Sequence, residues 1–218
     1  MTLDLFPDAD PAPTLADEPL DPGAVVLRGF ALCRDSALAE AIEAVAGQAP
    51  FRHLVTPGGF RMSVAMTNCG RLGWVSDRRG YRYDPVDPES GRLWPEMPEA
   101  FTTLARAAAD KAGYPGFTPD ACLMNRYAAG AKLSMHQDRD ERDLRAPIVS
   151  VSLGVPAVFL WGGERRADRA RRVPVQHGDV VVWGGPSRLH YHGVLPLKEG
   201  EHPFAGGYRI NLTFRKVE

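Results

Sequence analysis

The fold of this chain is decided most clearly by residues 208–215, whose sequence is Tyr-Arg-Ile-Asn-Leu-Thr-Phe-Arg. Every second residue from Tyr208 to Phe214 is apolar, and the residues between are two arginines, an asparagine and a threonine. Because side chains alternate between the two faces of a β-strand, this pattern predicts a strand with one apolar and one polar face. The polar face of such a strand either meets water or lines the interior of a barrel.

The barrel alternative has a chemical consequence. Two arginines on an interior face, Arg209 and Arg215, require anionic partners. A small dicarboxylate would satisfy them through paired, charge-assisted hydrogen bonds. A strand predicted at Ala121–Ala128 offers a matching polar face, on which Asn125 and Tyr127 lie together.

Most of the remaining chain after the first half is predicted to form short strands. Besides an early apolar run at Ala24–Phe30, the strands are predicted at Ala121–Ala128, Pro147–Leu153, Ala157–Trp161, Arg172–Val175, Val180–Trp183, Leu189–Val194 and Tyr208–Lys216. With two earlier helices, this order is typical of an α+β fold with a double-stranded β-helix (jelly-roll) core and supporting helices.

The two helices are predicted from apolar residues at helical spacing and from their end signals. The first contains Leu38 and Ile42 and begins at Asp35 or Ser36. The second spans Pro98 to Ala112 and ends at Gly113, a residue suited to the left-handed conformation that closes a helix.

The chain divides into a short leader and one domain. Residues 1–23 are rich in Asp, Pro and Ala and are predicted to be a flexible acidic leader. Residues 24–218 contain no repeat and are predicted to be a single domain. Within it, glycines punctuate short aromatic runs from Thr56 to Pro88, which predicts hairpins that lie over the core rather than in it.

Composition excludes several classes of protein. With 44% hydrophobic and 24% charged residues and a net charge of -1, the 218-residue chain is typical of a globular protein. No apolar run approaches the roughly 18 residues of a membrane span. The first 27 residues contain six acidic and no basic side chains, unlike a targeting peptide. Three dispersed cysteines favour free thiols in a reducing cytoplasm, and we further expect a monomer.

The candidate metal ligands form a short pair and a distant third residue. His136 and Asp138 are two residues apart and could bind one ion together, although such pairs also arise by chance. A second pair, at His177 and Asp179, flanks a glycine before a strand, which favours a loop hydrogen bond over metal binding. The third ligand is His190 or His192, which spacing alone does not distinguish.

These residues carry a resemblance to a known family. In order along the chain, His136-x-Asp138, His192-Gly193 and Arg209-x-Asn211-x-Thr213-x-Arg215 resemble the iron(II)/2-oxoglutarate dioxygenases of the AlkB family. Further similar stretches begin at Thr56, Asn125, Asp143 and His177, so the resemblance extends from about Ala24 to Arg215. It implies that the residues at about 50–90 are a nucleotide-recognition lid.

The resemblance also implies the cofactors and the reaction. His136, Asp138 and His192 would hold iron(II), with 2-oxoglutarate and O2 as cosubstrates. The cosubstrate residues implied by the match are Asn125, Tyr127, Arg209, Asn211 and Arg215, among which Arg209 pairs with the distal carboxylate of 2-oxoglutarate. The implied reaction oxidises an N-methyl group, releasing succinate, CO2 and formaldehyde.

For the substrate, the resemblance implies alkylated DNA, single- or double-stranded, with RNA as a further substrate. The matched contacts are Trp74, Tyr81, Met66, Asp140, Arg166 and Lys132. Trp74 would stack on a cationic base such as 1-methyladenine or 3-methylcytosine, opposite His136, and Asp140 would add an acidic contact. Two residues depart from the family pattern: Phe60 replaces a usual tyrosine, and His190 a usual aromatic residue.

The leading hypothesis is therefore direct-reversal DNA repair by oxidative demethylation. One alternative keeps the chemistry but acts mainly on RNA or protein. Another is a jelly-roll module that binds nucleic acid without turnover. If the protein binds nucleic acid, two arginine-rich stretches could contact its phosphates. One stretch lies around Arg78 and Arg82, and the other extends from Arg165 to Arg172. Solvated surface remains the alternative for either stretch.

Overall fold

The computed structural model describes residues 16–218, which form 13 strands and two α-helices. A seven-stranded sheet has the order β1-β2-β11-β8-β13-β6-β3, and its strands are Glu18–Asp21 (β1), Ala24–Leu27 (β2), Ala65–Gly70 (β3), Ala121–Tyr127 (β6), Ile148–Gly154 (β8), Val180–Trp183 (β11) and Arg209–Arg215 (β13). A four-stranded sheet has the order β10-β9-β12-β7, and its strands are Leu133–His136 (β7), Ala157–Trp161 (β9), Arg171–Val175 (β10) and His192–Val194 (β12). A separate hairpin contains Gly73–Asp77 (β4) and Gly80–Asp84 (β5).

All strand pairs are antiparallel, and the two larger sheets form the jelly-roll core. One face of the large sheet packs against helices Asp35–Gln48 (α1) and Glu99–Lys111 (α2) through a buried apolar cluster. Its other face packs against the smaller sheet through a second cluster, which includes Phe159, Trp161 and Trp183. The predicted α+β jelly roll with supporting helices is confirmed. No helix within residues 16–218 combines the length and apolar character required to cross a bilayer.

Strand β13 lies in the middle of the large sheet, so neither of its faces meets water. Ile210, Leu212 and Phe214 are buried against the helices. The alternating residues Arg209 and Arg215 are only 3% and 6% exposed, on the face toward the smaller sheet. Of the two alternatives for the polar face of this strand, the barrel interior is therefore correct. Burial of two guanidinium groups inside the core creates the demand for anionic partners.

Several predicted boundaries are wrong, each because of tertiary pairing. Glu18–Asp21 lie within the predicted leader but pair with β2 as an edge strand, while residues 1–15 lie outside the described residues. Ala65–Gly70 lie within the predicted lid, yet they form a buried edge strand of the large sheet, paired with β6. Only the hairpin of β4 and β5 stands apart from the two sheets as the lid prediction requires.

The helix boundaries differ by a residue or two from prediction. Helix α1 starts at Asp35 and follows a short 3-10 turn, so neither Asp35 nor Ser36 accepts a capping hydrogen bond from the first turn. Instead, a carboxylate oxygen of Asp35 lies 2.9 Å from Nε2 of His177. Helix α2 ends at Lys111, and Gly113 adopts the left-handed conformation at φ +89° that closes the helix as predicted.

Candidate active site

The centre of the site is formed where two strands of the smaller sheet lie side by side. His136 is the last residue of β7, and His192 is the first residue of β12 and lies directly opposite it. Their ring centroids are 4.4 Å apart. Asp138 follows β7, with its Oδ1 3.7 Å from Nε2 of His136 and its Oδ2 3.8 Å from Nε2 of His192. Within residues 16–218, this is the one cluster of three such side chains able to share an ion.

Hydrogen bonds orient both imidazoles toward a common centre. Nδ1 of His136 lies 2.9 Å from the carbonyl oxygen of Ser134, and Nδ1 of His192 lies 3.0 Å from that of His190. Because a carbonyl only accepts, each Nδ1 carries the proton, and each Nε2 lone pair is left for a metal. Both hydrogen bonds are local, because each joins a histidine to the carbonyl two positions earlier in the chain.

The charge states of these groups suit a divalent metal. Burial, together with the nearby charge of His136, lowers the pKa of His192 to about 3, so its imidazole is neutral at pH 7. Burial by itself raises the pKa of Asp138, but Arg215 and the two imidazoles outweigh it and hold that pKa well below its usual range. A neutral imidazole and an ionised carboxylate are the forms that bind metal.

Arg209 lies on the interior face of β13 beside this centre and is incompletely paired. Its Nη2 donates to Oγ of Ser152 at 2.9 Å, and its guanidinium carbon lies 4.9 Å from the centre of the Tyr127 ring. Its Nε and Nη1 atoms are buried without a hydrogen-bond partner among the described residues, as is Oδ1 of Asn125. Burial lowers the pKa of Arg209, as expected for a cation with no facing anion. The site therefore lacks an acceptor at this position.

The next residues of the same face are satisfied internally. The side-chain amide of Asn211 donates to Oγ of Ser150 at 2.8 Å, and the hydroxyl of Thr213 donates to Oδ1 of Asn211 at 2.9 Å. Arg215 donates two hydrogen bonds to Oδ2 of Asp138, at 3.0 and 2.8 Å. Its charge is thus already paired with the candidate metal ligand. Arg209, by contrast, is free to take an added carboxylate.

A cavity of about 700 Å³ joins the triad to Arg209 and opens toward the β4–β5 hairpin. It is lined by every predicted cofactor residue and every predicted substrate residue, namely Asn125, Tyr127, His136, Asp138, His192, Arg209, Asn211, Arg215, Met66, Trp74, Tyr81, Lys132, Asp140 and Arg166. Sequence positions more than a hundred residues apart therefore meet in one space. Such a concave site with convergent polar groups is the usual form of a small-molecule or substrate site.

The hairpin supplies an aromatic wall to this cavity. Trp74 is half-buried and stacks on Tyr81, with ring centroids 5.5 Å apart and an angle of 15° between the planes. The indole Nε1 donates to a carboxylate oxygen of Asp140 at 3.2 Å. Asp140 lies beyond the end of β7 at His136 and lines the same cavity as Asp138. Phe60 is 76% exposed and does not line the cavity.

The two arginine-rich stretches belong to different elements around the cavity, one to the β9–β10 connection and the other to the β4–β5 hairpin. Arg166 lines the cavity and lies 6.0 Å from the centre of the Tyr191 ring. It belongs to the exposed connection between β9 and β10, which leaves the sheet at Trp161, the residue opposite His192. On the other side, Arg82 is paired with Asp77 and Asp84 of the hairpin.

The remaining histidine predictions have clear outcomes. The predicted strand Leu189–Val194 shortens to three residues, because the amide of His190 bonds back to the carbonyl of Ser187. His190 therefore does not share a face with His192; its Nδ1 lies 3.7 Å from Asp21. The pair at His177 and Asp179 forms loop hydrogen bonds, as predicted. The Gly154 amide donates to His177, and the Gly29 amide donates to Asp179.

Sequence reasoning missed several residues around the site. Ser150 and Ser152 alternate with apolar neighbours along β8, so the same period-two pattern that identified β13 could have found them. Glu141 and Arg188 form a buried ion pair, with Nη2 of Arg188 3.0 Å from Oε2 of Glu141. No local sequence pattern predicts this pair, because 47 residues separate its two members.

The residues present fit iron(II) and 2-oxoglutarate. Two imidazoles and one carboxylate are the ligand set of non-haem iron(II) oxygenases. The unpartnered nitrogens of Arg209, together with the free amide oxygen of Asn125, provide a polar recess in the same cavity. A guanidinium with two free donors is the expected partner of a carboxylate group.

Comparisons with known proteins agree with this chemistry. A family model described as the 2OG-Fe(II) oxygenase superfamily matches residues 23–215. Alpha-ketoglutarate-dependent dioxygenase AlkB of Escherichia coli (strain K12) is 60% identical over 215 residues, covering 99% of this chain and 98% of the relative. The Salmonella typhimurium protein of the same name is 62% identical with the same coverage. The solved structure of OsALKBH1 has a TM-score of 0.80 at 30% identity, covering 92% of this chain and 100% of that chain.

Proposed function

Since the chain belongs to the AlkB family of the 2OG-Fe(II) oxygenase superfamily, we propose that it removes methyl groups oxidatively from alkylated bases of DNA, in direct-reversal repair. The observation that carries this proposal is a single cavity, shared by the His136–Asp138–His192 cluster, the incompletely paired Arg209 and the aromatic hairpin. The proposed substrates are 1-methyladenine and 3-methylcytosine, with RNA as a further substrate.

The cofactor chemistry sets what the protein residues must do. Iron(II) and 2-oxoglutarate, when bound, supply oxidation of the methyl carbon by O2 while the keto acid becomes succinate and CO2. His136, Asp138 and His192 would hold the metal, because their free ligand atoms already lie within 4.8 Å of one another. The formaldehyde product follows from breakdown of the hydroxylated methyl group.

Arg209 would bind the distal carboxylate of 2-oxoglutarate. Its unpartnered Nε and Nη1 atoms give two donors, and Tyr127 and Ser152 fix the plane of the guanidinium. Asn125 and Asn211 line the same recess. Because the recess is buried in the barrel, binding a carboxylate there compensates an otherwise unpaired charge and excludes water.

The hairpin would recognise the flipped base. A base that is demethylated must leave the duplex stack or arrive single-stranded. Methylation at N1 of adenine or N3 of cytosine makes the ring cationic, and a cation over an indole gains about 0.5–2 kcal/mol. Trp74, backed by Tyr81 and joined to Asp140, offers such a face with a carboxylate at its edge. Charge as well as shape would then separate a lesion from a normal base.

The phosphates on either side of that base would meet the basic residues around the cavity. Lys132 and Arg166 line its mouth. Arg165, Arg169, Arg171 and Arg172 extend the positive surface from there along the β9–β10 connection, although Asp168 and Glu18 already pair with two of them. Such contacts are independent of sequence and weaken with salt.

The other candidate functions receive less support. A binding module without turnover would not need a buried metal-binding triad beside an unpaired arginine. A protein substrate would not need a stacked aromatic pair at the cavity mouth. RNA remains the closer alternative, because stacking on Trp74 does not distinguish ribose from deoxyribose. We also propose that the enzyme is cytoplasmic, in keeping with its free cysteines, and that it acts as a monomer.

The test is product formation from defined oligonucleotides. The protein is incubated with iron(II), 2-oxoglutarate and oligonucleotides that carry one 1-methyladenine in single-stranded DNA, duplex DNA or RNA, and formaldehyde and succinate are measured. Formaldehyde from the DNA substrates supports the proposal. Formaldehyde from RNA alone supports the RNA alternative, and consumption of 2-oxoglutarate without formaldehyde from any oligonucleotide points to another substrate. Oligonucleotide binding without consumption identifies a binding module.

A further inference from the structure

A chain of buried polar contacts connects the β4–β5 hairpin to the metal site. The phenol of Tyr83, on β5, donates a hydrogen bond to Oε1 of Glu141 at 2.5 Å. Glu141 is buried, and its Oε1 also lies 3.4 Å from Nε of Arg215. Arg215 in turn donates both of its hydrogen bonds to Oδ2 of Asp138. Three contacts therefore separate the hairpin from a candidate metal ligand.

Arg188 closes this network from the opposite side. Its Nη2 bonds to the second oxygen of Glu141 at 3.0 Å, and its Nη1 bonds to the backbone carbonyl of Asp138 at 2.6 Å. Two carboxylates and two guanidinium groups thus balance each other in charge inside the core. In such an arrangement each partner fixes the position of the next, because leaving any one unpaired is costly.

The hairpin end of the network lies beside the proposed base-recognition face. Tyr83 is directly opposite Trp74 in the hairpin. Trp74 bonds to Asp140, and Tyr83 bonds to Glu141, the next residue. Residues 138–141 therefore contact the metal centre at one end and the hairpin at the other. The proposed reaction gives no other role to Tyr83, Glu141 or Arg188.

We propose that Tyr83 is a positioning residue, which acts through Glu141 and Arg215 to hold the carboxylate of Asp138 in place for the metal. Arg215 engages only Oδ2 of Asp138, so Oδ1, which lies 3.7 Å from Nε2 of His136, would be left for the metal. The Tyr83 hydroxyl limits the movement of Glu141, and Glu141 limits the movement of Arg215. These contacts thereby fix the position of the β4–β5 hairpin relative to the metal ligand Asp138. This inference rests on the proposed function only in taking Asp138 as a ligand.

The substitution Tyr83→Phe tests this role cleanly. It removes the hydroxyl but keeps the ring, which packs against Leu72, Ala121 and Val217. A matched control is Tyr114→Phe, which removes another hydroxyl hydrogen bond, to the carbonyl of Gly23, at a place outside the cavity. A purely structural effect of losing one hydroxyl would appear in both variants.

The first readout is the affinity of the metal-free protein for Co(II) alone, measured by visible absorption. Contacts behind metal ligands typically change metal affinity 10–100-fold, and Tyr83 lies further out, so we expect about a 3- to 10-fold weaker affinity in Tyr83→Phe. Tyr114→Phe should match the wild type. In turnover, Tyr83→Phe should lower kcat. The KM for a methylated oligonucleotide should stay within about twofold of the wild-type value, because the variant keeps Trp74 for stacking on the base.

A second variant makes the test independent of the first. Glu141→Asp keeps the charge but withdraws the carboxylate from the Tyr83 hydroxyl by one methylene group. If Tyr83 acts through Glu141, adding Tyr83→Phe to Glu141→Asp produces no further loss of Co(II) affinity. Losses that multiply, or equal Co(II) affinity in Tyr83→Phe and the wild type, overturn the inference. A wild-type protein that binds no Co(II) instead overturns the metal site and with it the proposed function.

Discussion

Arg209 lies directly opposite Tyr127 on the neighbouring strand, with its guanidinium carbon 4.9 Å from the centre of the Tyr127 ring. The ring covers one face of the guanidinium and Ser152 takes one of its donors, while Nε and Nη1 are buried without a hydrogen-bond partner among the described residues. The pairing is a consequence of strand register. A one-residue slip between β13 and β6 would turn Arg209 away from the interior.

Arg209→Gln should raise the KM for 2-oxoglutarate about 100-fold, because truncating one partner of a buried charge pair is strongly unfavourable. The measurement is succinate formation as a function of 2-oxoglutarate concentration. A matched comparison uses 2-oxobutanoate, which lacks the distal carboxylate. The wild type should strongly prefer 2-oxoglutarate, and the variant should lose that preference. An unchanged preference would remove Arg209 from cosubstrate binding.

His192→Ala should abolish metal binding and turnover, whereas His190→Ala should keep much of both. Only His192 directs Nε2 toward Asp138 and His136. His190 supports His192 through its backbone carbonyl, which the alanine substitution leaves in place. Metal affinity and formaldehyde release are measured for both variants. If His190→Ala were the inactive one, the ligand assignment would be wrong.

Asp140→Asn should reduce discrimination between cationic and neutral methylated bases. The amide keeps an acceptor for Nε1 of Trp74 but removes the negative charge. Since Asp140 is exposed, its charge is screened, and we expect the ratio of kcat/KM for 1-methyladenine over neutral 1-methylguanine to fall only about two- to fivefold. The same ratio in variant and wild type would exclude this role.

Asp87→Asn should destabilise the protein more at pH 7 than at pH 3. Burial raises the pKa of Asp87, but bonds from Arg52, the Glu89 amide and Ser90 outweigh it and lower that pKa below its ordinary value of 3.8. The carboxylate therefore stabilises the fold above about pH 4, and this stabilisation is lost as the pH falls. Urea unfolding should give a difference of about 1–3 kcal/mol at pH 7. A difference that does not shrink at pH 3 would contradict this account.

The pattern of polar and apolar residues was enough to predict the core of the fold. Strand β13 alternates strictly, and its neighbours in the large sheet force its polar face inward, so residues 209–215 define both the core and the site. Segments without this alternation were harder to predict from the sequence. Ala65–Gly70 is buried at almost every position, and its glycine-rich flanks resemble a surface hairpin, so its place in the large sheet was missed. Only pairing with β6 explains it.

The site also contains residues that the sequence predicts and residues that it does not. The metal triad and Arg209 carry recognisable spacing, and the family resemblance identified His192 where periodicity left two histidines open. The network of Tyr83, Glu141 and Arg188 has no local signature, because each contact joins distant parts of the chain. The composition of the first residues predicts that Asp21 lies in a flexible leader, yet it belongs to β1, pairs with Ala24 of β2 and accepts a hydrogen bond from Trp161. Tertiary contacts of this kind are invisible to patterns along the sequence.

An anaerobic absorption titration tests whether the cavity holds iron(II) and 2-oxoglutarate together. The metal-free protein is given iron(II) and then 2-oxoglutarate, and the visible spectrum is recorded. We expect a new metal-to-ligand charge-transfer band that requires both additions and is absent in His192→Ala. A wild-type protein that is folded yet never develops this band, at any concentration of the two, would contradict the assignment of the cavity.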